Sequence, residues 1–198
     1  MRKYLPLLIL VITLSLIRYT YAQEPDPGNG AFGATSIKVT KMLGQSAAIL
    51  GGRFGWVLDD QFVLGGGVYA LAGGVNANFI DPVSGEEVRM NFNYGGLQLE
   101  YIFLAQDVVH ASIDVLISGA GTYYSVPDQS KPHTSYFTQS FTIYEPEINL
   151  EFTLLNWLHL DASGSYRFVT GFDNNFENIT ANDIQGFSGI LTFRFGSY

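Results

Sequence analysis

Residues 147–154 read Glu147-Ile148-Asn149-Leu150-Glu151-Phe152-Thr153-Leu154. Apolar and polar side chains alternate without a break. Successive side chains on a strand point to opposite faces, so the segment is a β-strand with one oily face and one polar, acidic face. The same pattern recurs nearby. Val109, Ala111, Ile113, Val115 and Ile117 alternate with His110, Ser112, Asp114 and Ser118. Leu160, Ala162, Tyr166 and Phe168 oppose His159, Asp161, Ser163, Ser165 and Arg167, and Phe187, Leu191, Phe193 and Phe195 oppose Ser188, Thr192 and Arg194.

Working outward, period-two segments cover the chain from residue 31 to its end, and no amphipathic helical period of any length interrupts them. The spacing predicts eight strands, over 31–41, 46–57, 62–76, 88–104, 109–124, 138–154, 158–171 and 184–196. Short connections (58–61, 105–108 and around 155–157) alternate with long polar ones (77–87, 126–137 and 172–183). The Met42–Gln45 connection is the exception, being short on the long-loop side. The third strand is mostly glycine and small residues, which leaves its faces unassigned. The fourth changes phase near Gly95-Gly96, which suggests a bulge or bend.

Charge decides which face looks inward. Charged residues make up 14% of the chain and aromatics 15%, whereas soluble domains carry about 25% charged residues. A lipocalin-like barrel would need a far more charged exterior. In a membrane barrel the apolar faces meet lipid and the polar faces line the interior. Trp56, Phe62, Tyr101, Phe103, Trp157 and Phe195 fall near the short-turn ends of their strands. Tyr123, Tyr124, Phe137 and Phe172 fall near the long-loop ends. Two such groups fit aromatic girdles at the membrane surfaces. The expected fold is all-β, an eight-stranded antiparallel up-and-down transmembrane β-barrel over residues 31–198.

Residues 1–22 read as a signal peptide. Arg2 and Lys3 precede an apolar run from Leu5 to Ile17, and Thr20-Tyr21-Ala22 supplies a small-residue cleavage site. The run is too short for a spanning helix, which needs about 20 apolar residues. Residues 23–30 form a linker in which two prolines and two glycines discourage regular structure. Losing Arg2, Lys3 and Arg18 leaves seven basic against eighteen acidic residues, a net charge of −11, which argues against a nucleic-acid partner. There is no cysteine, hence neither a disulfide nor a lipoprotein attachment site. Short turns on one side and long loops on the other imply a bacterial outer-membrane protein with both termini in the periplasm.

Gly30-Ala31-Phe32-Gly33, Gly51-Gly52-Arg53-Phe54-Gly55-Trp56 and Phe62-Val63-Leu64-Gly65-Gly66-Gly67 resemble segments of small outer-membrane barrels of Bacteroidetes-type bacteria. The architecture is similar to the eight-stranded OmpA/OmpX class. The resemblance implies a fold and a location, and no single activity.

The inward faces collect Lys38, Arg53, Arg167 and Arg194 against Glu100, Asp114, Glu145, Glu147, Glu151 and Asp161. An eight-stranded barrel is just wide enough for side chains to fill, and isolated buried charges are very costly. These groups are therefore expected to pair across the interior as a salt-bridge plug, with Arg53 as hub to Glu100, Asp114 and Glu151. A proton or ion path is the competing reading. His110 and His159 lack a third ligand at metal spacing, so no metal or cofactor is expected. The one enzyme-like pattern is His133-Thr134-Ser135 with Glu145 downstream. It resembles the His-x-Ser pair of outer-membrane lipid A deacylases and defines an alternative, a lipid-modifying hydrolase. The main expectation is a non-enzymatic barrel with a structural or surface-interaction role. Its partners would be membrane lipid, lipopolysaccharide and the barrel assembly machinery.

Overall fold

The computed structural model describes residues 29–82, 85–103, 109–126, 135–173 and 179–197. The signal and linker segments, apart from Asn29 and Gly30, lie outside this range. Nine strand segments run β1 (Asn29–Met42), β2 (Gln45–Leu58), β3 (Phe62–Leu71), β4 (Val75–Ile80), β5 (Glu87–Phe103), β6 (Val109–Ser125), β7 (Ser135–Leu155), β8 (Leu158–Thr170) and β9 (Gly186–Ser197), with a short helix α1 (Ala181–Ile184) before β9. All neighbours are antiparallel. β1 pairs with both β2 and β9, and β3 pairs with the lower half of β5, which closes the sheet. Closure through β3 and β5 removes the free edges there, while β4 pairs on one side only, with β5.

Nine segments make eight staves. The expected third strand breaks where Gly73 and Gly74 take φ of +75° and +67°, and β4 continues the stave against the outer part of β5, Val75 opposite Met90 and Asn76 opposite Arg89. Part of the expected 77–87 loop is thus strand. The Met42–Gln45 connection is a two-residue turn in which Leu43 and Gly44 both have positive φ (52° and 72°), the geometry that matches strand twist in a tight hairpin.

The alternation sets the walls. Phe54, Trp56, Leu64, Val68, Leu97, Ile148 and Phe187 are exposed, while Lys38, Arg53, Glu100, Asp161, Arg167 and Arg194 are almost fully buried. An apolar outside around a charged inside is the reverse of a water-soluble barrel and suits a lipid surround. Among the described residues no helix is long and apolar enough to cross a membrane, and the crossing is made by strands. The faces of β3 are defined: Val63, Tyr69 and Leu71 point in, Phe62, Leu64 and Val68 out. Trp56, Phe62, Phe103, Trp157 and Phe195 stand outward at the short-turn end, and Phe62 and Tyr101 meet edge to face at 5.0 Å.

The expected phase change in β5 does not occur. Pairing with β3 and β6 runs in register through Gly95 and Gly96, and Val88, Met90, Phe92, Tyr94, Gln98, Glu100 and Ile102 all face inward. What changes is polarity. Toward the long-loop end the interior becomes apolar, while Arg89 and Asn93 stand exposed outside. Polar side chains outside and an apolar cluster inside give this end the arrangement of an ordinary hydrophobic core. The same reversal corrects the outer girdle. Tyr124 is fully buried in that core and Phe172 packs against it, leaving Tyr123 outward, and the side chain of Phe137 lies outside the described residues.

Candidate functional site: the charged interior

Three layers fill the lumen. At the short-turn end Phe32, Ala34, Val57, Val63 and Ile102 form an apolar plug. At the long-loop end Met42, Ile49, Met90, Phe92, Tyr124, Phe141 and Ile143 form a larger apolar core, covered by Ile179 and Ile184 of the last loop. The ionic network lies between them.

Its geometry rests on the inward positions of β2, β5, β6, β7, β8 and β9. Arg53 Nη2 donates to Asp161 Oδ2 at 2.6 Å, and its Nη1 lies 3.5 Å from Asp114 Oδ2 and 3.8 Å from Glu147 Oε1. Arg194 Nε reaches the same Asp161 oxygen at 2.6 Å, its Nη2 donates to Glu100 Oε1 at 2.8 Å, and Glu151 Oε2 lies 3.5 Å from its Nε. The Arg194 guanidinium also stacks over Phe32 at 4.6 Å. There are therefore two hubs joined through Asp161. Glu100 and Glu151, expected on Arg53, are held by Arg194. Separation along the sequence hid this, because the strands are tilted and equal counts from the turns do not give equal positions around the wall.

Further side chains complete the network. Ser112 Oγ donates to Glu100 Oε1 at 2.6 Å, and Asn149 Nδ2 donates to Asp114 Oδ2 at 2.8 Å and to Ser112 Oγ at 3.0 Å. His110 and His159 both place Nδ1 by Glu151 Oε1, at 3.4 and 3.1 Å. Among the described residues no cluster of His, Cys, Asp and Glu suits a metal ion. Ser112 and Asn149 share faces with the acids in the alternation, so their places were legible.

Lys38 forms a second cluster closer to the long-loop end. Its Nζ lies 3.1 Å from Glu145 Oε2 and 3.7 Å from Glu147 Oε2, and 4.1 Å from the centre of the Tyr69 ring. Glu145 also accepts from Tyr94 at 2.9 Å and Ser165 at 2.7 Å. The two tyrosines escaped sequence reading because β3 had no assigned faces and β5 showed a false phase change. Arg167 stands apart from the ionic network. It makes no ion pair within 4 Å among the described residues; Nε donates to the Ile184 carbonyl at 3.0 Å, Nη2 to Thr40 Oγ1 at 3.3 Å, and its guanidinium lies 5.4 Å from the Phe92 ring centre. Arg167 ties the covering loop down, helped by Leu43 N–H donating to the Asp183 carbonyl at 2.8 Å.

The barrel class is reflected in solved structures. The chain is similar to Neisserial surface protein A, with a TM-score of 0.57 at 13% identity, over 85% of this chain and 96% of that one. It is similar to the outer membrane protein OprG from Pseudomonas aeruginosa (TM-score 0.51, 10% identity, 86% and 96% covered). A third is the N-terminal β-barrel domain of Pseudomonas aeruginosa OprF (TM-score 0.50, 13% identity, 83% and 96% covered). The fold is that of the small eight-stranded outer-membrane barrels. No family model and no curated protein matches the sequence.

Of the enzyme-like pattern, His133 lies outside the described residues. Ser135 opens β7, ten residues before Glu145. At about 3.3 Å per residue that is about 33 Å along the strand, so Glu145 cannot serve Ser135 as an acidic partner.

Proposed function

We propose that this protein is a non-enzymatic integral barrel of the bacterial outer membrane, in a Bacteroidetes-type bacterium as the glycine-rich motifs imply. It supports the envelope or presents its outer end to a surface partner. Both termini face the periplasm, lipid and lipopolysaccharide surround the wall, and the barrel assembly machinery inserts it. The observation that carries this reading is the filled lumen. An apolar plug, a cross-linked ionic layer and an apolar core under a tied-down loop occupy the barrel in succession. A channel needs a continuous hydrated path, and packed apolar layers at both ends oppose one. The interior hydroxyls of Ser112 and Ser165 are buried and bonded to Glu100 and Glu145.

Planar-bilayer recording of the refolded protein tests the reading. The expected result is a bilayer without conductance steps. Regular, voltage-independent steps at neutral pH would overturn it in favour of a narrow channel.

A further inference from the structure

We propose that the outside of the wall holds one anionic, phosphate-bearing lipid of the surrounding membrane, its acyl chain in a groove across β2, β3, β5 and β6 and its phosphate on Lys41 and Arg89. The inference rests on reading the protein as a membrane barrel, and it names a lipid class for one place on that wall.

Charge singles out the place. Acidic residues outnumber basic ones in the chain, 18 to 10, and Lys38, Arg53, Arg167 and Arg194 are buried inside the barrel. Among the described residues, Lys41 and Arg89 are the lysine and arginine that stand outside. Lys41 has no acidic partner within 4 Å among the described residues. Arg89 Nη1 donates to the Gly73 carbonyl at 3.0 Å, a neutral partner that orients the side chain and leaves its charge open. Glu87, the outward acid two residues farther along β5, is engaged by Asn76 Nδ2 at 2.7 Å. Two open cations on the outside of an acidic chain draw an anion.

Strand register sets the two cations level. Leu50 on β2 pairs with Ala70 on β3, and Ala70 pairs with Asn93 on β5. Arg89 lies four residues past Asn93 toward the long-loop end. Lys41 on β1 pairs with Ser46, which lies four residues past Leu50 on β2. At about 3.3 Å per residue, both stand about 13 Å beyond the row of Leu50, Ala70 and Asn93. The strands β2 and β4 lie between them, joined by Gln45 Nε2 donating to the Asn76 carbonyl at 2.7 Å. Three strand spacings of about 4.8 Å separate the two backbones, and the long side chains can close on a headgroup from either side. Outward aromatic rings mark the same level. Phe187, one step past the Thr40–Ser188 pair and so beside Lys41, meets Tyr166 at 4.7 Å, and Tyr166 meets Phe168 at 4.6 Å. Such rings gather at the membrane–water interface, the level of lipid headgroups.

Beneath the cations the wall is hollowed. A groove of about 600 Å³ is lined by Leu50, Val68, Ala70, Asn93, Gly95 and Gly119. Ala48 and Ala72, small and exposed, lie between it and the cations, which leaves a path for one chain. A chain in a hollow touches the wall on more than one side, and dispersion attraction grows with the number of contacts. Apolar contact alone does not choose among lipids, because every tail is as apolar as the wall. The headgroup makes the choice. A guanidinium takes a phosphate through two parallel hydrogen bonds, and an ammonium adds a point charge. A zwitterionic headgroup brings its own cation and gains less.

Native mass spectrometry of the full barrel in detergent micelles, with phosphatidylglycerol or phosphatidylcholine added in turn, tests the site. The wild type should retain one phosphatidylglycerol about tenfold more than phosphatidylcholine, the order that two cations at a lipid surface supply. Lys41→Gln combined with Arg89→Gln should abolish the preference, and Lys41→Arg should keep it. Gly119→Leu, whose Cβ enters open space, should fill the groove and lower retention with both cations in place. Glycerol phosphate, a headgroup without a chain, should not displace the lipid. Equal retention of the two lipids by the wild type, a preference that survives in the double variant, unchanged retention in Gly119→Leu, or displacement by glycerol phosphate would overturn the proposal. The wild-type comparison and the displacement need no variant to fold. Lipid retention is read independently of conductance, so its failure leaves the filled-lumen reading standing, and conductance steps would leave the lipid site standing.

Discussion

Arg53 Nη2 donates to Asp161 Oδ2 at 2.6 Å, a bond that joins β2 to β8 although two strands, β1 and β9, separate them around the wall. Contacts of this kind staple the barrel across its lumen. Removing one partner of a buried network leaves others charged and unpaired, which typically costs about 3–5 kcal/mol. Arg53→Leu takes from Asp114 its cation and leaves Glu147 with Lys38 at 3.7 Å, and Arg194→Leu takes from Glu100 its short ion pair, so both should lower the urea midpoint of vesicle-refolded barrels well below wild type. Because Asp161 is shared, the double variant should lose less than the two single losses added together. Additive losses would show that the hubs act independently.

The covering loop gives a second prediction. Ile184 is fully buried in the long-loop core, and its carbonyl is held by Arg167. Ile184→Ala should cost about 2–5 kcal/mol through lost burial and the cavity left behind. It should also speed proteolysis within 172–186 while leaving the strands protected. Equal cleavage rates in variant and wild type would mean that the loop is not held by its apolar anchor.

Two glycines separate close packing from open space. A Cβ added at Gly96 would lie 2.0 Å from the Ile117 carbonyl oxygen and 2.5 Å from Ser118 Cα, whereas one at Gly119 meets nothing within 4 Å. Backbone cannot give way as a flexible side chain can. Gly96→Ala should therefore destabilise by at least about 1–3 kcal/mol, and Gly119→Ala should be neutral or stabilising by about 0.4–1 kcal/mol. Denaturation midpoints of the two variants, measured together, check the ordering.

The proposed topology is tested by labelling. Asp60 lies in an exposed short turn and Glu86 in the connection between β4 and β5. With no native cysteine to interfere, Glu86→Cys should react with an impermeant thiol reagent on intact cells and Asp60→Cys only after the outer membrane is breached. The reverse pattern would turn the barrel over.

By itself the sequence determined the alternation and its local consequences. A period of two with oily and charged faces demands strands. A low charged fraction demands that the oily face meet lipid. Together they place Lys38, Arg53, Glu100, Asp114, Glu147, Glu151, Asp161, Arg167 and Arg194 on inward faces, because side-chain direction is fixed one residue at a time. Tertiary structure decided which inward residues meet. Closure, tilt and stagger bring Asp161 to Arg53 and Arg194, and no local pattern encodes a contact between strands that are not neighbours. It also decided where the surroundings change. The apparent phase shift in β5 was an exchange of polarity between its two faces, with Arg89 and Asn93 outside and Phe92 and Tyr94 still facing in. Local alternation records the contrast between two faces, but only the assembled barrel shows which of them is buried.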